Sequence, residues 1–167
     1  RQAQVKKTKR GLKMGIVTAS RVFKVDVSPD TNIYASGDQL GDKFSLAGAV
    51  TREGSTGIIQ SIVLSDKSEQ NSDIDVLFFD QSFTEGSDNA AVAISEADAL
   101  NCLGVVSLSS SDYIDIGGSS ICTKRSIGLG FKCSDSAILY GICVSRGTPT
   151  YASITDLQLV ITVLQDT

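Results

Sequence analysis

The side chains that most often do chemistry are thinly represented in this 167-residue chain, and what is missing constrains it more than what is present. There is no histidine, the side chain that most readily exchanges protons near neutral pH and the commonest metal ligand. Ser-His-Asp and Cys-His nucleophilic chemistry are thereby excluded. Four cysteines stand at Cys102, Cys122, Cys133 and Cys143 with no C-x-x-C pair among them, a spacing unlike that of a zinc site. Cys122 and Cys143 lie in apolar stretches, so buried, reduced thiols acting as small hydrophobes are expected. Synthesis in a reducing host cytoplasm fits that state, with a disulfide between neighbouring strands as the alternative.

The remaining polar groupings are weaker still. Gly54, Ser55, Thr56 and Gly57 lack the spacing and lysine of a phosphate-binding loop and precede a strand rather than a helix, so a hairpin turn is expected. The stretch from Asp66 to Asp75, with Glu69 and Asp73, offers oxygen ligands but not the regular spacing and central glycine of a calcium loop. Asp73 and Asp75 would share one sheet face and could imitate a glycosidase pair, yet on so acidic a body they read as surface carboxylates. The chain is therefore expected not to be an enzyme, with no catalytic residue, metal, cofactor or small-molecule substrate.

Charge is the strongest signal outside the core. Residues 1–25 hold Arg1, Lys6, Lys7, Lys9, Arg10, Lys13, Arg21 and Lys24 and no acidic residue, whereas residues 26–167 hold seven basic and all 19 acidic residues. A basic extended arm over residues 1–20 and a body over residues 21–167 are implied. Arg1, Lys6, Lys7, Lys9, Arg10 and Lys13 are the candidate docking residues. They could neutralise nucleic-acid phosphates, with no aromatic side chain among them on which to stack a base. They could equally settle on an acidic protein surface and order only when bound. Protein docking is the expected role, because the arm is short and the acidic body would repel phosphate. No apolar run approaches the roughly 18 residues a membrane helix needs, so a soluble protein without a membrane partner is expected.

The body must be built from strands. Phe23, Val25 and Val27 alternate with Lys24 and Asp26, and Ile74, Val76 and Phe78 alternate with Asp75 and Leu77, the period of two that sends one set of side chains to one sheet face. Ile138, Tyr140, Ile142 and Val144 form a third such set, and Leu157, Leu159, Ile161 and Val163 a fourth, expected to be a central core strand. Further strands are expected near residues 43–51, 57–65, 104–108, 113–116, 120–124 and 128–133. Ser95 and Asp98 suit a helix start, Ala97, Ala99, Leu100 and Leu103 give it an apolar side, and Gly104 suits its stop. The prediction is an all-β, jelly-roll-like β-sandwich of about 8–10 strands with one short helix near residues 95–103.

Several short phrases in order, Tyr34 to Gly41 (YASGDQLG), Gly57 to Asp66, Asp75 to Asp80 (DVLFFD), Leu139 to Cys143 (LYGIC), Thr148 to Tyr151 (TPTY) and Asp156 to Asp166, resemble capsid decoration or cement proteins of tailed bacteriophages. The resemblance spans about residues 21–166 and leaves out the arm. It implies a jelly-roll-like sandwich on the outside of the head, bound to the major capsid protein, commonly as a trimer, and it carries no catalytic residues. A trimer also accords with Leu77, Phe79, Val160 and Leu164, which give two strands a second apolar face in need of cover. The virion surface is the expected location. The alternatives are a jelly-roll coat protein of a small virus whose arm meets packaged nucleic acid, and a carbohydrate-binding sandwich, for which the chain has no tryptophan and few tyrosines.

Overall fold

The computed structural model describes residues 19–166. Their elements are β1 (Ala19–Asp26), β2 (Gln39–Ala47), β3 (Thr56–Asp66), β4 (Ile74–Phe79), α1 (Glu96–Ala99), β5 (Cys102–Leu108), β6 (Tyr113–Asp115), β7 (Ser120–Lys132), β8 (Ile138–Ser145) and β9 (Leu157–Gln165). Two antiparallel sheets result, one in the order β1-β9-β3-β7-β6 and one in the order β2-β8-β4-β5. With the three-residue β6 set aside, each sheet holds four strands in which early and late parts of the chain alternate. Such interleaving across two sheets is the double Greek key of a jelly roll.

The alternation read in β1, β4 and β9 points where it should. Leu157, Leu159, Ile161 and Val163 are buried between the sheets, and β9 is paired on both sides, with β1 and with β3. Ile74, Val76 and Phe78 meet them from the opposite sheet. Strand β8 departs from expectation. The face it turns to the inter-sheet core is Leu139 and Cys143, with Gly141 paired between Phe44 and Phe78. Ile138, Tyr140, Ile142 and Val144 lie on the outer face instead. Every residue of β8 from Gly141 to Ser145 is buried, and a strand buried on both faces has no polar side by which its register could be read. Gly141 is required by its neighbour, since a Cβ there would overlap the Phe44 ring, which packs edge-on against Phe78 at 6.2 Å between centroids.

Two other expectations are corrected. The helix is one turn rather than two. Ser95 caps it, its Oγ accepting from the Asp98 backbone N–H at 3.0 Å, but Cys102 is already paired with Phe79 in β5. Sheet pairing recruits the chain before a second turn forms, and α1 has no buried residue to stabilise it. Leu100 is 87% exposed, and Gly104 lies within β5 rather than at a helix stop. The two strands expected over residues 120–133 are one, β7, which changes register opposite Ile59 and Ser61. Ser126 and Gly128 have left-handed backbones (φ 54° and 69°) at that irregularity, so it bends the strand without ending it.

Candidate interaction surfaces

The docking residues expected in the arm, Arg1, Lys6, Lys7, Lys9, Arg10 and Lys13, lie outside the described residues. The other groupings singled out in the sequence resolve into structural roles. Gly54 donates its N–H to the Cys133 carbonyl at 2.7 Å and has a left-handed backbone of φ 77°, a turn leading into β3. Asp73 and Asp75 do not act as a pair. Asp73 accepts from the Ser110 N–H, which holds its carboxyl below the usual range. Asp75 binds Arg146 at 2.6 Å and accepts from Ser107. Among the described residues no group of three or more potential metal ligands is gathered.

At the end of the sandwich where β3 leaves its sheet, Asp66 is fully buried. Its two oxygens accept from the N–H groups of Ser68 and Asn71, each at 3.0 Å, so the carboxylate pins its own loop. Burial nevertheless pushes its pKa up. Asp156 plays the matching part opposite, accepting from Ala152 and Ser153 N–H at 2.9 Å and from the Ser68 hydroxyl. Tyr34 and Tyr151 fill the space behind, in edge contact with centroids 6.0 Å apart. Tyr34 donates to Asp88 at 2.7 Å, and burial raises its phenol pKa. All four cysteines are free thiols. Burial raises Cys122 and Cys133 to about 11 and Cys143 to about 12, so these three are protonated packing groups without nucleophilic character.

What distinguishes the two sides of the sandwich is their outer surfaces. The outer face of the four-stranded sheet carries Leu77 and Phe79 from β4 and Tyr140 and Ile142 from β8. Residues 80–95 form a strap across it. Phe83 lies 4.2 Å from Phe79, ring centroid to centroid, and Ile94 packs on the same small cluster. Lys43 of β2 ties the strap down, donating from Nζ to the Phe83 carbonyl at 2.6 Å and from its backbone N–H to Glu85. Farther along, the strap exchanges backbone bonds with Gln39, at 2.8 Å from its N–H to Ala90 and 3.0 Å from Asn89 to its carbonyl. Phe79 is therefore buried and Leu77 half-buried by their own chain, so these two do not by themselves call for a second copy.

The outer face of the five-stranded sheet has no such cover among the described residues. Register places Leu164 between Ser20 and Ile58, Val160 between Lys24 and Val63, and Ile121 between Ser65 and Ile114. With Val22 and Ile116 these make a diagonal apolar stripe across the face. Val22 is 59%, Ile58 42%, Ile114 68% and Ile116 61% exposed. Ile116 and Ile121 line two shallow depressions at the far end, about 360 and 560 Å³. Sequence reasoning singled out only Val160 and Leu164 of this stripe. Its other members are scattered singly over four strands and a loop, and only the cross-strand register gathers them.

No family model matches the chain, and no curated protein matches it. Five chains of solved structures do. One of them, from the X-ray crystal structure of tomato aspermy virus, covers 88% of this chain and 76% of its own length at 11% identity, with a TM-score of 0.37. A likeness that loose transfers neither register nor role, and the jelly-roll assignment rests on the strand order alone.

Proposed function

We propose that this chain is a virion structural protein that binds the outside of a bacteriophage capsid and stabilises it. The observation that carries an assembly role is the apolar outer face of one sheet, uncovered among the described residues, in a sandwich whose other outer face is closed by its own strap. Jelly rolls serve as capsid proteins, as lectins and as metal-binding enzyme scaffolds, and fold alone does not choose among them. The sugar-binding use has little to stack a ring on, since there is no tryptophan, Tyr34 and Tyr151 are buried, and Tyr113 and Tyr140 are half-buried against the two apolar clusters. The metal-binding use lacks histidine. The bacteriophage setting, the major capsid protein as partner and a trimeric state come from the sequence resemblance.

A second reading, in which the chain itself forms a shell around nucleic acid, is favoured by one observation. Residues 1–18 hold six basic and no acidic residues, a distribution suited to phosphate. One comparison separates the readings: intact protein and a form lacking residues 1–15, each added to empty and to nucleic-acid-filled shells at rising salt. Decoration by way of the arm predicts binding to empty shells that falls with salt and is lost on truncation. Unchanged binding after truncation rejects docking through the arm. Binding to filled particles alone favours the shell-forming role.

A further inference from the structure

We propose that the open edge of β1 pairs with the β1 edge of a second copy of this chain, antiparallel about a two-fold axis through Val22. The inference goes beyond the functional reading above and leaves the apolar face of the five-stranded sheet free. Antiparallel pairing continues one sheet, so the open faces of both copies lie on the same side, and a partner meets two stripes instead of one.

The edges of the two sheets differ in how they are closed. Along β2, Gln39 donates its N–H to the Ala90 carbonyl at 2.8 Å, Gly41 to Asp88 at 2.7 Å and Lys43 to Glu85, so the strap fills alternate positions of that edge. Strand β6 is three residues long, and β5 is bulged beside Phe79 and packs Gly104 closely on Leu129 of β7. By contrast, β1 runs for eight residues with no register shift. The Val27 N–H donates to the Leu157 carbonyl at 3.2 Å. Bonded pairs alternate along an antiparallel ladder, so the odd-numbered residues of β1 bond to β9. The backbone N–H and C=O groups of Ser20, Val22, Lys24 and Asp26 point away from it, and they have no partner among the described residues. A long edge of that kind is a template for another strand.

The residues along β1 favour β1 itself as the occupant. Opposed side chains must share a face, so odd-numbered residues meet odd and even meet even. An axis through Lys24 would set that lysine against its own copy, a destabilising pair. An axis through Phe23 would set Val22 beside Lys24. The axis through Val22 instead joins two valines that are each 59% exposed, and it sets Ser20 opposite Lys24 and Arg21 opposite Phe23. Arg21 already lies over the Phe23 ring of its own chain, 5.5 Å from its guanidinium carbon to the ring centroid, and pairing brings a second ring within its reach. The outward backbone groups of Ser20, Val22 and Lys24 are then all bonded, and no charge stands opposite its like.

Light scattering and amide exchange of the intact chain test this. The expected mass is an even multiple of the chain's, for a pair of copies or a pair of trimers, and the Val22 and Lys24 amides should exchange more slowly as concentration rises. Val22→Pro removes only an outward N–H, which an edge strand tolerates, and should halve the mass while the Val25 amide stays protected by β9. Val22→Lys and Val22→Glu should each halve it as well, because the axis sets each new charge against its own copy, and an equimolar mixture of the two should restore it. An odd multiple in the intact protein, monomer or trimer, would overturn the proposal. So would an even mass that these variants leave unchanged, or a mixture no heavier than its components. Slow exchange at Val22 in a protein of monomer mass would put a segment of the same chain on the edge, and that too would overturn it.

Discussion

The two sheets of this sandwich meet the same physical problem with opposite outcomes. Each is apolar on its inner face, and each also places large apolar side chains on its outer face. The four-stranded sheet hides Phe79 and Ile142 beneath a sixteen-residue connection, residues 80–95, whereas the five-stranded sheet leaves Val22, Ile114 and Ile116 largely in water. A loop of that length without regular structure is uncommon in a compact domain and usually has a purpose. Here it is a third layer on one side. The contrast teaches that a second apolar face on a strand is no evidence of a subunit interface until the chain's own connections have been traced. By that standard Phe79 is internal and Leu77 half-covered, and the stripe on the open face is the apolar surface left exposed among the described residues.

Substitution on the closed side should have the largest effect. Phe79 is fully buried, and removing its ring takes away the contact that seats Phe83. Phe79→Ala is expected to cost about 3–5 kcal/mol, the usual range for a buried phenylalanine. Urea unfolding measures it. A loss below about 1 kcal/mol would mean that the strap rests loosely on the sheet and that the two outer faces differ little.

Acid sharpens the comparison at the seam where the sheets join, because Asp66 and Asp73 stand at opposite ends of one loop and titrate in opposite senses. The Asp73 carboxyl is held below its ordinary 3.8 by the Ser110 N–H. Its contribution to stability is therefore present above pH 3.8 and is lost as the pH falls through the depressed folded value. Asp66 is raised by burial. A raised carboxyl favours the folded state below its unfolded pKa, and that benefit disappears as the pH rises through the folded value. Intact protein should thus be more stable than Asp73→Asn at neutral pH, by a small margin because the site is exposed, and the difference should narrow as the pH falls below 3.8 and through the depressed folded value. A gap between their urea midpoints that does not narrow as the pH falls below 3.8 would remove Asp73 from the account.

How much of this was legible beforehand follows from how each segment meets water. Strand β9 could be read outright, because Leu157, Leu159, Ile161 and Val163 alternate with Gln158 and Thr162, which mark the outer face. The jelly-roll class followed from many such short alternations. Strand β8 misled, because Ile138, Tyr140, Ile142 and Val144 are as apolar as Leu139 and Cys143, and a pattern without a polar side does not say which set faces the core. The strap offered Phe83 alone in a polar stretch and then the short run Ala90 to Ile94 (AAVAI), too short to show a period. The open stripe is a product of register among five strands. Its members are far apart in the chain and meet only once β1, β3, β6, β7 and β9 are paired. The basic residues were the plainest feature of the sequence, and they lie outside the described residues.

The smallest expected effect lies at the far end of the open face, and it is the one on which the comparison depends. Ile114 belongs to a three-residue edge strand paired only with β7, and Ile116 follows it in the loop. Both side chains spend most of their surface in water, so little apolar area returns to solvent when they are shortened. The double change Ile114→Ser and Ile116→Ser is therefore expected to move the unfolding free energy by less than about 0.5 kcal/mol, as for surface positions generally. The β6 and β7 backbone bonds do not depend on these side chains, so the amide exchange rates of Cys122 and Thr123 should be unchanged. A loss above about 1 kcal/mol would show that something already covers this end of the face in the free protein. The five-stranded sheet would then have a lid of its own, and the asymmetry that singles it out as the binding side would be gone.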